Sequence, residues 1–333
     1  MTTREHTTHP GAPATGLPAS RERRVPARPV RLVTALVAAA VALVLPLLVP
    51  GWLGLLVIAG IFFLIVLGLN LLMGYAGQVS LGQTLFMALG GYGAGLLTLR
   101  WHWPTLVAMI VMAGVSAAVA AGLGTVFLRL RGYYLALATL GLAVITESLA
   151  SGLTGFTGGP SGLVGVPSLH LGPWEIFSDQ ANYYLLLVVC GLGAWFVGNL
   201  QRSQTGRALS AIAADPAAAT MLGINASRYK TSAFVVSAVY ASLGGSLYAF
   251  YLRFISPEVV GVTVALSIVI MLALGGARTL VGPLLGALVI QGLPEVGQSF
   301  ASWSPFVAGV VLILVITYLP RGIWGTVKKL AER

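Results

Sequence analysis

Long apolar runs, separated by short polar or glycine-rich segments, form the hydrophobic pattern of this chain of 333 residues. Each run approaches the roughly 20 residues with which a helix crosses the hydrocarbon core of a bilayer. Backbone amides find no water in that core, so the runs are expected to be helical. The pattern predicts ten transmembrane or re-entrant helices, at residues 32–50, 54–73, 80–98, 104–127, 134–153, 181–199, 231–251, 260–275, 281–296 and 304–320.

The composition agrees with a membrane protein. Hydrophobic residues make up 57% of the chain and charged residues 8%, a balance too apolar for a soluble domain of this length. The predicted fold is therefore all-α, a polytopic integral membrane protein. Segments 80–98 and 281–296 are short and rich in glycine, so each is either a full crossing or a re-entrant or broken helix.

The basic residues indicate how the chain is oriented. If the N-terminus is cytoplasmic, the alternation of the predicted helices places all but two of the 19 Lys and Arg residues on the cytoplasmic side. The two exceptions are Arg100 and Arg253. Because cytoplasmic loops of membrane proteins are enriched in Lys and Arg, we expect both termini to be cytoplasmic. The same distribution accounts for the net charge of +10 without a nucleic-acid partner.

Three regions and two long loops follow from this topology. Residues 1–30 are predicted to be a disordered, basic cytoplasmic tail. Residues 31–325 are predicted to form the transmembrane domain, and residues 326–333 a short basic cytoplasmic C-terminus. Within the domain, the loop at 154–180 is expected on the external side and the loop at 201–230 on the cytoplasmic side.

The cytoplasmic loop contains the most structured polar sequence of the chain, residues 206–225. Residues 208–214 have high helix propensity, and Asp215 is suited to N-cap a second short helix that begins with Pro216. Gly223 can end that helix in a left-handed conformation. Two short helices joined at Asp215 would form either a compact knob for another protein or an interfacial helix on anionic lipid. The spacing alone favours neither.

The knob and the segments around it resemble a known family. Ala217, Ala218 and Ala219, followed by Gly223, are similar in spacing to the cytoplasmic EAA-type loop through which ABC importer permeases contact their ATPases, with Ala217 in place of the usual Glu. From about residue 67 to residue 325 the chain resembles LivM-type permeases of the branched-chain amino acid ABC importer family. The motifs that carry this resemblance lie at residues 68–83, 129–134, 157–163, 206–209, 222–225, 255–257, 274–276, 282–283 and 320–322.

The resemblance implies a function and a set of partners. It implies a permease subunit of a binding-protein-dependent importer in the bacterial cell membrane, moving branched-chain amino acids or a related small polar solute inward. The implied partners are a second related permease subunit in a heterodimer, two cytoplasmic ABC ATPases, an external solute-binding protein and membrane lipid. The residues assigned to ATPase coupling are Gly206, Arg207, Asp215, Ala217, Ala218, Ala219 and Gly223.

Polar residues in the apolar segments are candidates for the path of the solute. Asn70, Gln78, Ser80 and Gln83 lie in a glycine-rich segment that either breaks beside a water-filled cavity or packs closely against other helices. Glu147 is an acidic residue within a predicted helix, where an ionisable group is costly. It either borders the cavity, where it could meet the ammonium group of an amino acid, or lies near the external water and caps a polar network.

The sequence lacks the motifs of ATP hydrolysis, of cysteine chemistry and of metal binding. It contains no Gly-Lys pair and hence no phosphate-binding loop, so ATP hydrolysis is expected in partner chains. The single cysteine, Cys190, lies in an apolar run, and the four histidines lack the spacing of metal ligands. We therefore expect no catalytic residue, no cofactor and no metal site.

Other functions remain open on the sequence alone. Urea and short-amide ABC permeases are similar in sequence to this family. In a different class stands an autonomous channel or an ion-coupled secondary transporter, although a coupled transporter is expected to carry several intramembrane acids or charged pairs. Glu147 is the one acid that the predicted topology supplies for that purpose. A structural scaffold would need neither a cavity nor a moving loop.

Overall fold

The computed structural model describes the chain in four stretches, 50–127, 132–171, 174–297 and 322–331, and at four single positions, 43, 44, 46 and 130. Contacts divide the chain into two units, Met1–Val44 and Leu45–Arg333. In the first unit the described side chains, Leu43 and Val44, are exposed. All elements below belong to the second unit.

Helices account for most of the described residues, as the apolar runs predict. Their bounds are α1 Leu53–Leu69, α2 Gln83–Trp101, α3 Thr105–Phe127, α4 Tyr133–Gly152, α5 Thr154–Thr157, α6 Asp179–Arg202, α7 Gln204–Ala214, α8 Pro216–Met221, α9 Ala226–Leu252, α10 Val262–Gly275, α11 Gly282–Gly297 and α12 Gly322–Ala331. A π-helical turn, Asn70–Tyr75, continues α1. Three 3-10 turns lie at Pro50–Trp52, Gly159–Ser161 and Pro257–Val260.

Five of the described helical stretches are long and apolar enough to cross a membrane. They are Leu53–Tyr75, Thr105–Phe127, Tyr133–Gly152, Asp179–Arg202 and Ala226–Leu252. The apolar helices α10 and α11 have 14 and 16 residues. At 1.5 Å per residue they measure about 21 and 24 Å, less than a hydrocarbon core of about 30 Å. The fold is thus that of a multi-pass helical membrane protein.

The predicted segments between residues 54 and 296 each coincide with a helix to within a few residues. The glycine-rich segment 80–98 is one unbroken helix, α2, which starts only at Gln83. Residues 76–82, just before it, form the non-helical part. The predicted segments 32–50 and 304–320 lie largely or wholly outside the described residues, as does the N-terminal tail 1–30.

Close packing of α2 against α9 forms the centre of the bundle. A Cβ at Gly90 would overlap the backbone carbonyl of Ser242, and a Cβ at Gly245 would overlap that of Met87. Glycine therefore lets the two backbones touch. The Ser246 hydroxyl donates to the Gly90 carbonyl at 3.0 Å across this contact. These glycines serve helix packing, one of the two alternatives that the sequence left open.

The bundle has two ends that gather different loops. At the first, here called the knob end, α7 lies beside residues 70–82, where a Cβ at Gly77 would be 3.2 Å from the Ala213 side chain, and α8 follows α7 directly. The turn 276–281 reaches the same end through hydrogen bonds to Asn70. At the second, here called the hairpin end, the described residues of 153–171 and 174–178 pack together with the segment 253–262.

Four short strands cover the hairpin end, a feature that the all-α prediction lacked. β1 (Leu163–Val164) pairs antiparallel with β4 (Phe254–Ile255), with Leu163 opposite Ile255. β2 (Leu169–Leu171) pairs antiparallel with β3 (Trp174–Ile176), with His170 opposite Glu175. The Thr105 hydroxyl, at the start of α3, accepts from the His170 amide at 2.9 Å. The described residues of the predicted external loop 154–180 therefore form a folded cap on this end.

Candidate functional site

The knob, residues 206–225, has the local structure that its sequence predicts. The Asp215 carboxylate accepts hydrogen bonds from the backbone amides of Ala217 at 2.8 Å and Ala218 at 3.1 Å, so Asp215 is the N-cap of α8. Gly223 follows the last turn of α8 with φ of +80°, the left-handed region that favours glycine. The predicted caps at both ends of the second short helix are confirmed.

The coupling candidates divide into a buried and an exposed set. Gly206 is buried, and a Cβ there would overlap the backbone carbonyl of Gln201. Ala219 is 2% exposed and lies on the buried face of α8. Both residues hold the knob in shape and offer little surface to another protein. The exposed set consists of Arg207, Asp215, Ala217, Ala218 and Gly223.

Two large apolar side chains stand at the tip of the knob. Met221 is 89% exposed and Leu222 is 80% exposed. Beneath them, Leu209 and Ile212 are fully buried and anchor α7 to the bundle. Adjacent apolar side chains exposed to this degree on a polar loop are typical of a contact with another molecule. Sequence reasoning missed this pair, although two large apolar residues directly before a helix-ending glycine are a usable signal.

Asn70, a candidate for the solute path, links two elements of the knob end. It is fully buried. Its Nδ2 donates to the Thr279 carbonyl at 2.7 Å, and its Oδ1 accepts from the Arg278 backbone amide at 2.8 Å. Both polar atoms of the amide are thus engaged between α1 and the turn 276–281. A role for Asn70 on the solute path stays a prediction.

Arg278 is held in an uncommon backbone conformation by this link. Its φ of 64° lies in the left-handed region, which residues other than glycine rarely adopt. The Arg278 Nε donates to the Gly74 carbonyl at 2.6 Å, and the Tyr75 hydroxyl donates to the Arg278 carbonyl at 2.8 Å. We call Asn70, Gly74, Tyr75, Arg278 and Thr279 the clamp. From the sequence, Arg278 is recognisable only as a cytoplasmic charge, because contacts between residues so far apart in the chain leave no local signal.

Three further candidates lie around the non-helical turn that follows the clamp. Ser80 and Gln83 are each 1% exposed, and Gln78 is half-buried. The Gln83 Nε2 donates to the Ser237 hydroxyl of α9 at 2.9 Å. The Oε1 atoms of Gln78 and Gln83 are buried without a partner among the described residues. This turn therefore holds unused hydrogen-bonding capacity inside the bundle.

Glu147 lies at the opposite end of the bundle from these residues. Its Oε2 accepts from the backbone amide of Val262, the first residue of α10, at 3.3 Å. A Cβ at Gly261 would overlap the Glu147 carboxylate, so glycine permits this approach. A carboxylate at a helix N-terminus is favoured by unpaired amides and by the helix dipole. The contact supports the capping alternative, and the solute-path candidates do not form a single cluster.

Comparison with known proteins places this architecture in a family. Residues 51–316, from the 3-10 turn before α1 onward, match the family described as branched-chain amino acid transport system / permease component. The chain is 31% identical over 288 residues to the high-affinity branched-chain amino acid transport system permease protein LivM of Escherichia coli K12, covering 79% of this chain and 67% of that protein.

Other relatives agree with this match. The protein of the same name from Salmonella typhimurium is 30% identical over 287 residues, with the same coverage of both chains. The autoinducer 2 import system permease protein LsrC of an Enterobacter strain is 28% identical over 249 residues, covering 72% of this chain and 69% of that protein. No solved structure matches the chain significantly. The chain therefore belongs to the family of permease components of branched-chain amino acid transport systems.

Proposed function

We propose that this chain is the transmembrane subunit of a bacterial ABC importer that moves branched-chain amino acids into the cell. In this proposal it pairs with a second, related permease subunit in the cell membrane. Two cytoplasmic ATPases supply the energy, and an external solute-binding protein delivers the solute. The observation that carries the proposal is the rigidly capped knob with its exposed apolar tip.

The knob suits a docking surface for the ATPases. Met221 and Leu222 are largely exposed, and beside them Ala217 and Ala218 present small side chains that let another surface approach closely. Burying apolar area contributes about 25 cal/mol per Å², whereas an exposed ion pair contributes only about 0–1 kcal/mol. With Ala217 where related loops carry Glu, the contact rests on apolar packing. It is expected to persist at high salt.

Contacts at the knob end provide a route for transmitting movement. Ala213 of α7 lies against Gly77, which directly follows the π-helical turn and the clamp. Four residues further on, the Leu81 amide donates to the Thr139 hydroxyl of α4 at 2.9 Å. A displacement of α7 by the ATPases would therefore act on α1, on α4 and, through the clamp, on the turn 276–281.

The distribution of charge supports a cytoplasmic knob end. Cations at the knob end include Arg202, Arg207, Arg228, Lys230 and Arg278, against the acid Asp215. The described part of the hairpin end carries Arg100 and Arg253 against Glu147, Glu175, Asp179 and Glu258. Lys and Arg are enriched on the cytoplasmic side of membrane proteins. The hairpin end would then face outward.

The hairpin end offers an ordered surface to the solute-binding protein. The Arg253 guanidinium lies 3.8 Å from the ring centre of Phe177, and the Arg100 guanidinium lies 5.4 Å from that of Phe156. Stacking on an aromatic ring restricts a guanidinium while leaving its N–H groups available for carboxylates. Both phenyl rings are more than half exposed. An outward-facing partner with acidic and apolar contact residues fits this surface.

Matched substitutions in the knob test the proposal. Asp215→Lys removes the cap and reverses its charge, whereas Asp215→Asn keeps a capping side chain. Gly223→Leu forces a branched residue into φ of +80°, whereas Asn tolerates that region. In the assembled importer, we expect Asp215→Lys and Gly223→Leu to uncouple ATP hydrolysis from uptake, and both Asn variants to stay coupled. Normal uptake by all four variants would show that the knob has no part in coupling ATP hydrolysis to transport.

A further inference from the structure

A cavity of about 290 Å³ lies between α2 and α4, and it is open along the face of α4 where Leu149 and Leu153 are about half exposed. Its first wall is one face of α2, since Leu85, Leu89 and Tyr92 are spaced at helical intervals. Its second wall is one face of α4, running from Thr146 past Leu149, and Met112 of α3 also lines it. Neither the clamp nor the knob contributes to it. None of the earlier candidate residues lines this cavity.

The lining is apolar except for three side chains that carry a hydroxyl, Tyr92, Thr146 and Thr157. Tyr92 is 6% exposed, and its hydroxyl is buried without a hydrogen-bond partner among the described residues. The Thr146 and Thr157 hydroxyls, which also belong to the lining, donate instead to the backbone carbonyls of Leu142 and Ala150. Buried hydroxyls in proteins nearly always have a partner, and an unpaired one is unfavourable. Tyr92 thus places a hydroxyl without a partner in the wall of this cavity, and a polar group of a ligand that reached it would supply that partner.

We propose that this cavity holds the aliphatic side chain of the amino acid during passage, while the Tyr92 hydroxyl hydrogen-bonds to a polar group of that solute. The inference rests on the proposed importer function and adds a site for the solute. An apolar cavity of about 150 Å³ holds a benzene molecule, so about twice that volume accommodates a molecule of the size of leucine. Urea would leave the apolar walls uncovered.

A lipid acyl chain is the competing occupant, because α4 is partly exposed along this face. An acyl chain offers neither donor nor acceptor, so Tyr92 would remain unpaired beside it. A carboxylate is a strong acceptor for a hydroxyl, and hydrogen bonds to charged groups are stronger than those between neutral groups. The cavity also reaches Thr157 at the hairpin end, the end from which the solute would enter. Both arguments favour the amino acid.

The test uses the complete importer in liposomes, with saturating amounts of its binding protein and with labelled leucine or alanine as the solute. Leu149→Trp places a large ring in the cavity, and Ile145→Trp, one turn earlier and outside the lining, is the matched control. We expect Leu149→Trp to slow leucine uptake about tenfold and alanine uptake less than about threefold, since alanine needs little of the cavity. Ile145→Trp should leave both rates near those of the wild type.

A second variant tests the polar contact. Tyr92→Phe keeps the ring and removes the hydroxyl, so we expect leucine and alanine uptake to fall together, by about three- to tenfold. Unchanged rates for Tyr92→Phe would overturn the hydrogen bond. Equal losses of leucine and alanine in Leu149→Trp, at a normal amount of assembled complex, would overturn the cavity as a side-chain site.

Three more outcomes separate the alternatives. A response of Leu149→Trp to the acyl-chain length of the lipids, with no change in solute preference, would assign the cavity to lipid and overturn the proposal. A wild-type importer that takes up urea and no leucine would refute the proposed function itself, whatever the variants do. If the wild type takes up leucine but Leu149→Trp keeps the same preference between leucine and alanine, the cavity inference is refuted and the proposed importer function stands.

Discussion

Replacing Asn70 with Ala removes the centre of the clamp, and the structure allows its cost to be worked out. Asn70 is fully buried and makes hydrogen bonds of 2.7 Å to the Thr279 carbonyl and 2.8 Å from the Arg278 amide. Each hydrogen bond contributes about 0.5–1.5 kcal/mol, and a buried partner left unpaired costs about 1–3 kcal/mol. Release of the left-handed Arg278 backbone would return about 1–2 kcal/mol. We therefore expect a net loss of about 1–3 kcal/mol in the free energy of unfolding.

The measurement compares Asn70→Ala with a matched control. Asn182→Ala also removes an amide, but that side chain is half-buried at the hairpin end and donates to the Ser178 carbonyl at 3.0 Å. Denaturant unfolding of the purified chain should show a clear loss of stability for Asn70→Ala and a change within about 0.5–1 kcal/mol for Asn182→Ala. Faster proteolysis in the turn 276–281 should accompany the first loss.

A different result would refute this reasoning about Asn70. If Asn70→Ala were as stable as the wild type and instead changed which solutes are taken up, its amide would belong to the solute path. If it lowered stability and also uncoupled ATP hydrolysis from uptake, with solute preference intact, the clamp would be part of the transmission route from the knob. The uptake assay and the unfolding measurement together distinguish these cases.

Three further predictions concern orientation, the hairpin end and helix packing. In a background without the native cysteine, a cysteine at Ser178 should react with an impermeant reagent added outside cells and one at Ser227 should not; the opposite pattern inverts the topology. Glu147→Gln should cost about 0.3–1 kcal/mol in unfolding free energy through the lost charge at a helix N-terminus. If Glu147 borders the path, that variant should also slow uptake of a zwitterionic amino acid more than that of a neutral amide. Gly245→Val should greatly reduce the folded protein recovered from membranes, whereas Gly114→Val, where a Cβ meets open space, should be tolerated.

The sequence alone predicted those features that depend on residues close to one another in the chain. The positions of the helices follow from the apolar runs, because a chain in lipid must satisfy its backbone within each segment. The knob was equally predictable, since a capping carboxylate at Asp215, a first-turn Pro216 and a left-handed Gly223 act within a few residues of one another. The class of the protein, a helical membrane protein, and its resemblance to a permease family also rest on such short-range patterns.

Tertiary structure decided what depends on distant residues. Asn70 meets Arg278 and Thr279 across about two hundred positions, so its part in the clamp could not be predicted from the sequence, and its role on the solute path stays a prediction. The buried Tyr92 hydroxyl has no partner among the described residues, and a cavity lies beside it. Both features depend on the distance between α2 and α4, which cannot be predicted from a short stretch of sequence. Lipid imposes helices on each apolar segment separately, but the pairing of polar groups between helices is settled only when the segments pack.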